Sequence, residues 1–202
     1  GIVQTNKFER FTLRSNNEYK ISNAIKVSTL ISYSRGNTRN VNLGNFNNAY
    51  RAAPYVAVNQ GDLYGNTSLS NNVDNPLLAL NKSYDQGLDN RLQSSVALDI
   101  KPLKWLTFRS SFGSDLDFYT NSAYAYKFLS TGDNSVFFEK GGNQQRQKSS
   151  LNIDKNNSTR WVWDNTLTAT KAFGKHNFTL LAGTTAEEFT FNALSGSRTD
   201  VP

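Results

Sequence analysis

Residues 91–118 read RLQSSVALDIKPLKWLTFRSSFGSDLDF, two amphipathic strands joined by a short turn. In the first strand Leu92, Ser94, Val96, Leu98 and Ile100 share one face, while Arg91, Gln93, Ser95, Ala97 and Asp99 share the other. This is the period-2 alternation of a strand with one apolar side. The pattern restarts after Lys101 to Trp105, with Leu106, Phe108, Phe112, Leu116 and Phe118 against Thr107, Arg109, Ser111, Asp115 and Asp117. An odd connection sets Ile100 opposite Leu106 and Leu98 opposite Phe108, so all the apolar residues stay on one side of the ribbon. The fold follows from what that side faces.

Two more hairpins flank this one. After a loop end at Gly1 to Lys7, Phe11, Leu13, Tyr19 and Ile21 oppose Arg10, Thr12, Arg14, Glu18 and Lys20, with Ser15 and Asn17 interrupting the stripe. A three-residue turn, Ser22 to Ala24, matches Ile21 with Ile25 and Tyr19 with Val27. Ile31 and Tyr33 continue that side, against Lys26, Ser28, Ser32 and Ser34. Near Arg160 a third hairpin begins, with Trp161, Trp163, Leu167, Ala169 and Phe173 facing away from Val162, Asp164, Thr166, Thr168 and Thr170. Gly174 and Lys175 form a two-residue turn with glycine first, a type II′ signature. The even loop moves the apolar face to Phe178, Leu180, Ala182 and Thr184. Between the hairpins, Gly36 to Asn90 and Tyr119 to about Thr159 are polar, without periodicity, and the first holds Pro54 and Pro76 as breakers. Ala123 to Leu129 and Gln147 to Ile153 are candidate strand extensions.

The composition argues against an ordinary core. Of 202 residues only 37% are hydrophobic, and cysteine and methionine are absent. Zero cysteine excludes a disulfide framework and thiolate metal sites. A chain that begins at Gly1 without any methionine and stops in the polar stretch Ser195 to Pro202 reads as a fragment. The net charge of +6 is dispersed along strands and loops, which fits a solvated surface and not a nucleic-acid partner. No run of about 18 apolar residues forms a transmembrane helix, but barrel strands cross with only about 9 to 11 alternating residues.

Loop lengths decide between the two uses of an apolar face. The alternating strands alone favour a soluble sandwich, such as an adhesin or carbohydrate-binding module whose stripes face a second sheet. Three short turns alternating with two long loops, however, put all turns at one end of the sheet and all long loops at the other, as in transmembrane β-barrels. Trp105, Phe173 and Phe178 fall at the turn end and Trp161, Trp163 and Phe118 near the loop end, where interfacial girdles belong. Lys171 lies on the apolar face, close enough to the turn to snorkel. Beyond Glu187 the shift to Phe189 and Phe191 marks a bulge or an extension past the membrane. Six strands leave open edges in lipid, so further strands must complete the wall. The expected fold is all-β, a transmembrane antiparallel barrel segment of about six strands in three hairpins.

Arg10 to Gly36 (RFTLRSNNEYKISNAIKVSTLISYSRG), Arg91 to Asp115 (RLQSSVALDIKPLKWLTFRSSFGSD) and Trp163 to Glu188 (WDNTLTATKAFGKHNFTLLAGTTAEE) resemble the barrel of SusC/RagA-type TonB-dependent outer-membrane transporters. Asn165-Thr166-Leu167 running into the Gly174 turn, the Leu181-Ala182-Gly183 stretch and Asn75-Pro76 also fit. The resemblance implies a barrel of about 22 strands, of which residues 1–202 are a partial barrel domain, with the plug domain, TonB box and signal sequence absent from this chain. It further implies location in the bacterial outer membrane and active import of oligosaccharides or oligopeptides, captured with a SusD-like surface lipoprotein and energised by TonB through the plug.

Catalytic chemistry finds little footing. His176 is the only histidine and sits beside a tight turn, with no Ser or Asp at a motif spacing. Asp115 and Asp117 lie side by side with Arg109 on the same face, which reads as charge lining and not acid/base work. Glu187 and Glu188 point to opposite faces, and Gly141-Gly142 lacks the strand and helix of a phosphate loop. No metal site, cofactor or enzymatic activity is expected. Arg10, Arg14, Glu18, Lys26, Arg91, Asp99, Arg109, Asp115, Asp117 and Asp164 point into the barrel, to hydrogen-bond the plug or to line the substrate path. In the loops, Tyr50, Tyr55 and Tyr64 offer aromatic platforms for sugar recognition or for packing against the lipoprotein. The substrate-contact candidates are Tyr50, Tyr55, Tyr64, Arg109 and Asp115.

Overall fold

The computed structural model describes residue 3 and residues 5–202. The loop expected at residues 1–7 lies partly outside these, at residues 1, 2 and 4. Six long strands form one antiparallel sheet: β1 (Lys7–Lys20), β2 (Ile25–Arg39), β5 (Ser83–Leu103), β6 (Leu106–Ala125), β7 (Ser150–Phe173) and β8 (His176–Thr199), each paired with its neighbour in chain order. Between β2 and β5 lie α1 (Gly44–Arg51), the short pair β3 (Asn59–Gln60) and β4 (Leu63–Tyr64), α2 (Ser68–Asn71) and α3 (Pro76–Asn81).

The three turns lie at one end, as the loop lengths require. At the first, Tyr19 pairs with Val27, Ile21 N donates to Ile25 O at 3.0 Å, and Ser22 Oγ accepts from Ala24 N and Ile25 N. At the third, Phe173 pairs with His176, and of the two turn residues only Gly174 has positive φ, +60°, as a II′ turn demands. The middle turn corrects the expected register. Ile100 pairs with Phe108 and Leu98 with Ser110, and a bulge between Ile100 and Leu103 brings Leu103 opposite Leu106 around a turn at Lys104-Trp105. Pro102 has no N–H for a ladder bond, so the irregularity falls where a bond is already missing. The bulge adds one residue to β5 and so offsets the even, two-residue turn, which leaves the apolar faces aligned.

Register continuity assigns both faces across the whole sheet. One row runs Ile21, Ile25, Ile100, Phe108, Leu167, Ala182, and another Leu13, Tyr33, Leu92, Leu116, Thr159, Thr190. Outward apolar residues run from Ile25 to Tyr33, Leu92 to Ile100, Leu106 to Leu116, Trp161 to Ala169 and Phe178 to Ala186. Each run is about 9 to 11 residues, and at about 3.3 Å per residue with a tilt near 40° it matches an apolar band about 25 Å tall. While β2 ends at the Ile25 row, β7 and β8 continue below it to Phe173 and His176. This stagger is the shear that tilts barrel strands.

Above the band the strands continue although both of their faces are polar. β5 and β6 pair up to Ser83 and Ala125, and β6 and β7 up to Ala125 and Ser150. The long polar stretches are therefore shorter than expected, and the first holds three helices. β7 and β8 pair without a register shift past Phe189 and Phe191, so no bulge occurs there; the extension reading holds and both rings turn to the inner face.

Outward polar groups in the band find one another. Ser94 Oγ and Ser114 Oγ lie 2.8 Å apart, Trp163 Nε1 donates to Ser110 Oγ at 3.0 Å, and Trp161 Nε1 donates to Glu188 Oε2 at 3.0 Å. Each such bond removes the cost of an unpaired polar group in hydrocarbon, a few kcal/mol. Lys171 Nζ rests 5.1 Å from the Phe173 ring centroid and 5.9 Å from that of Trp105, so its charge is held by the turn-end girdle.

Candidate functional site

The inner face is a ladder of charges, with pairings that run diagonally as well as straight across. Near the turns, Arg109 Nη1 donates to both carboxylate oxygens of Asp99 at 2.9 Å, and Lys26 stands 3.7 Å from Asp99 and 3.3 Å from Glu18. Nearer the loops, Arg91 Nε donates to Asp115 Oδ1 at 2.8 Å and Gln93 Nε2 to Asp115 Oδ2 at 3.1 Å, while Arg160 pairs with Glu187 at 3.0 Å. Arg109 and Asp115 thus belong to separate clusters, which corrects the expected grouping. Six residues along β6 put them about 20 Å apart, and each has a nearer partner on β5. Glu187 and Glu188 do face opposite ways, toward Arg160 and Trp161.

Above the band, Asp117 faces Asp89 and not Arg109. Partial burial, with the Asp89 carboxylate beside it, pushes the Asp117 carboxyl above the usual carboxylate range. Burial likewise raises the Tyr119 phenol, whose ring lies where a Cβ on Gly87 would stand, 2.9 Å from its hydroxyl. The missing side chain at Gly87 lets that ring lie flat on the neighbouring strand.

The two long loops fold into one body over the loop end of the wall. Leu78, fully buried, packs with Phe128 and Phe137, and with Tyr64 and Val136 at its margin. Asn75 caps α3, its Oδ1 accepting from Leu77 N at 2.9 Å and Leu78 N at 3.2 Å, with Pro76 in the first turn. Its Nδ2 also donates to Val58 O and Gly65 O, both at 2.8 Å, and Gln144 spans the loops by accepting from Asn75 N and donating to Asn75 O. Asn66 Nδ2 donates to Glu139 O and Gly141 O, and Arg146 Nη1 to Lys82 O and Tyr126 O. Gly141 and Gly142 belong to this seam, since a Cβ on Gly142 would come 2.3 Å from Ser68 Oγ.

The tyrosine candidates separate. Tyr50 and Tyr55 are open to solvent, at 92% and 78% exposure. Tyr64 packs against the loop core, its hydroxyl accepting from Asn81 Nδ2 at 3.0 Å. Gln144, Asn66 and Arg146, which carry the loop body, had no sequence signal; Asn75-Pro76 had one, a capping residue before a first-turn proline. His176 sits at the turn with its ring 6.4 Å from that of Phe178.

No family model matches the chain. TonB-dependent receptor P3 of Formosa agariphila is 26% identical over 194 residues, covering 91% of this chain and 18% of the relative. TonB-dependent receptor P26 of the same organism is 25% identical over 187 residues, with the same coverage of both. Among solved structures, the RagAB peptide transporter aligns with a TM-score of 0.73 at 16% identity, over 96% of this chain and 22% of that one. The RagAB peptide importer in the open-open state aligns at 0.70 and 15% identity.

The chain is thus similar to TonB-dependent receptors over nine-tenths of its length, and its sheet has the fold of part of the RagAB transporter's barrel. It spans about a fifth of the length of the curated relatives it matches, at 18% of each. The apolar belt and the charge ladder match the lipid-facing and lumen-facing sides of an outer-membrane barrel wall.

Proposed function

We propose that this segment serves an active importer of oligosaccharides or oligopeptides that works with a SusD-like surface lipoprotein and draws its energy from TonB through a plug inside the barrel. The observation that carries this reading is the union of a two-faced wall with an ordered loop body above it. Its loops hold Asn66, Asn75 and Gln144 buried and hydrogen-bonded, which fixes the outer surface of the wall. That surface displays Tyr50, Tyr55, Leu43 and Leu69, and between α1 and α3 a groove of about 240 Å³ lined by Phe46, Ala49, Leu77 and Leu80. Exposed apolar area of this kind suits a protein lid. The relatives' names, receptors dependent on TonB and a peptide importer, support the same reading.

Within it, Tyr50 and Tyr55 meet the lipoprotein or its cargo, Tyr64 holds the loop that presents them, and Arg109 and Asp115 line the path or the plug contact. The test is uptake of labelled oligopeptides and oligosaccharides by cells lacking the intact transporter gene, and separately lacking TonB. Loss of uptake of one cargo class in both strains is expected. Uptake unchanged in both overturns the proposal.

A further inference from the structure

The charge ladder leaves a depression at mid-wall unfilled. Register lines up Arg14, Ser32, Gln93, Asp115 and Arg160 in a single row across five strands. One row nearer the turns, Leu30, Gly113 and Val162 floor a cavity of about 370 Å³ that this row rims. Gly113 makes the depth. Its φ is not in the left-handed region, and a Cβ there would meet only Ser94 O at 3.8 Å and Ser95 Cβ at 3.9 Å, ordinary contacts. Neither backbone conformation nor crowding calls for glycine, so what it contributes is space.

The charges around the rim do not cancel. Asp115 is held by Arg91 and Gln93, and Arg160 by Glu187. Arg14 has no ion-pair partner among the described residues. One uncompensated guanidinium therefore overhangs an apolar floor, and its planar fork of donors matches a carboxylate.

We propose that this depression is a carboxylate subsite of the lumenal wall: Arg14 takes the carboxylate, and Leu30 and Val162 take the short aliphatic group that bears it. The proposal rests on the reading of this face as the importer's lumen. The carboxylate has two possible sources, an acidic cargo or an acidic side chain from another segment of the same protein. Binding of isovalerate and of its neutral amide, isovaleramide, to the purified full-length transporter in micelles tests it, read by saturation-transfer NMR alongside the melting temperature.

For an open subsite, isovalerate binds saturably and isovaleramide about tenfold more weakly. Arg14→Gln erases that preference, and Gly113→Leu, which fills the floor without touching a charge, weakens both probes. For a subsite filled from within, neither probe binds, Arg14→Gln lowers the melting temperature and Arg14→Lys restores part of it. Equal binding of both probes, or no binding with a melting temperature indifferent to Arg14→Gln, overturns the proposal. Failure of the import reading shows instead in the uptake assay, whatever isovalerate does.

Discussion

The wall and the loop body bury apolar side chains in opposite places. In the loop body Leu78 is fully enclosed by protein and Phe137 is 2% exposed, whereas in the wall Phe112, at the centre of its strand, is 44% exposed with no protein layer over it. The loop body works in water, where burial against protein supplies its stability and its buried amides need partners. The wall works in lipid, where apolar side chains need no cover and its outward serines and indoles must bond one another. The same chain thus follows two rules, and the border between them is the row where the outward face turns from Tyr33, Leu92 and Leu116 to Arg35, Asn90 and Phe118.

The difference can be broken from the loop side first. Asn75→Ala removes the α3 cap and strands two backbone carbonyls and two amides, an expected loss of about 3 to 5 kcal/mol of loop-body stability. Hydrogen exchange should show the segment 40–82 opening while the amides of the band stay protected. Concerted opening of both would mean that the two regions are one cooperative unit. In the wall, Asp99→Ala leaves Arg109 and Lys26 without their shared carboxylate, and denaturant unfolding should show a loss of about 1 to 2 kcal/mol. Gly174→Ala forces a Cβ into φ +60° and should cost about 1 kcal/mol by the same assay.

The smallest effect is pH-dependent. Because the folded state holds the Asp117 carboxyl above its ordinary value of 3.8, its protonated form is favoured by folding, so that stabilisation is complete at acidic pH and lost as pH rises through the raised value. Asp117→Asn should therefore melt higher than the parent at neutral pH, with the gain vanishing below pH 3.8. A gain independent of pH would rule out the Asp89 contact as its source.

What could be read in the sequence tracks the same border. Inside the band, alternation sorted Leu98 from Ala97 and Phe108 from Arg109, because lipid and lumen demand opposite polarity on the two faces. Above it, β5 from Ser83 to Asn90 and β6 from Tyr119 to Ala125 lost their alternation, since water wets both faces and the pattern carries no information. The bulge near Pro102 was hidden because the seven residues between Ile100 and Phe108, like the five expected between Ile100 and Leu106, are odd in number and leave the parity of faces unchanged. Partner choice was hidden as well. Arg91 stands opposite Asp117 in register yet bonds Asp115 diagonally, a decision made by side-chain reach and not by spacing. The loop core was least legible, since Leu78, Phe128 and Phe137 come from distant turns with no common period.

The central claim is that even-numbered residues of β6 face lipid and odd-numbered residues face the lumen. Phe112→Arg and Ser111→Arg in the intact transporter, refolded into bilayers and unfolded in denaturant, test it most directly. Arginine at position 112, near mid-band, is expected to cost about 2 to 4 kcal/mol and at position 111 less than about 1 kcal/mol. Equal losses at the two positions, or a larger loss at Ser111, would contradict it.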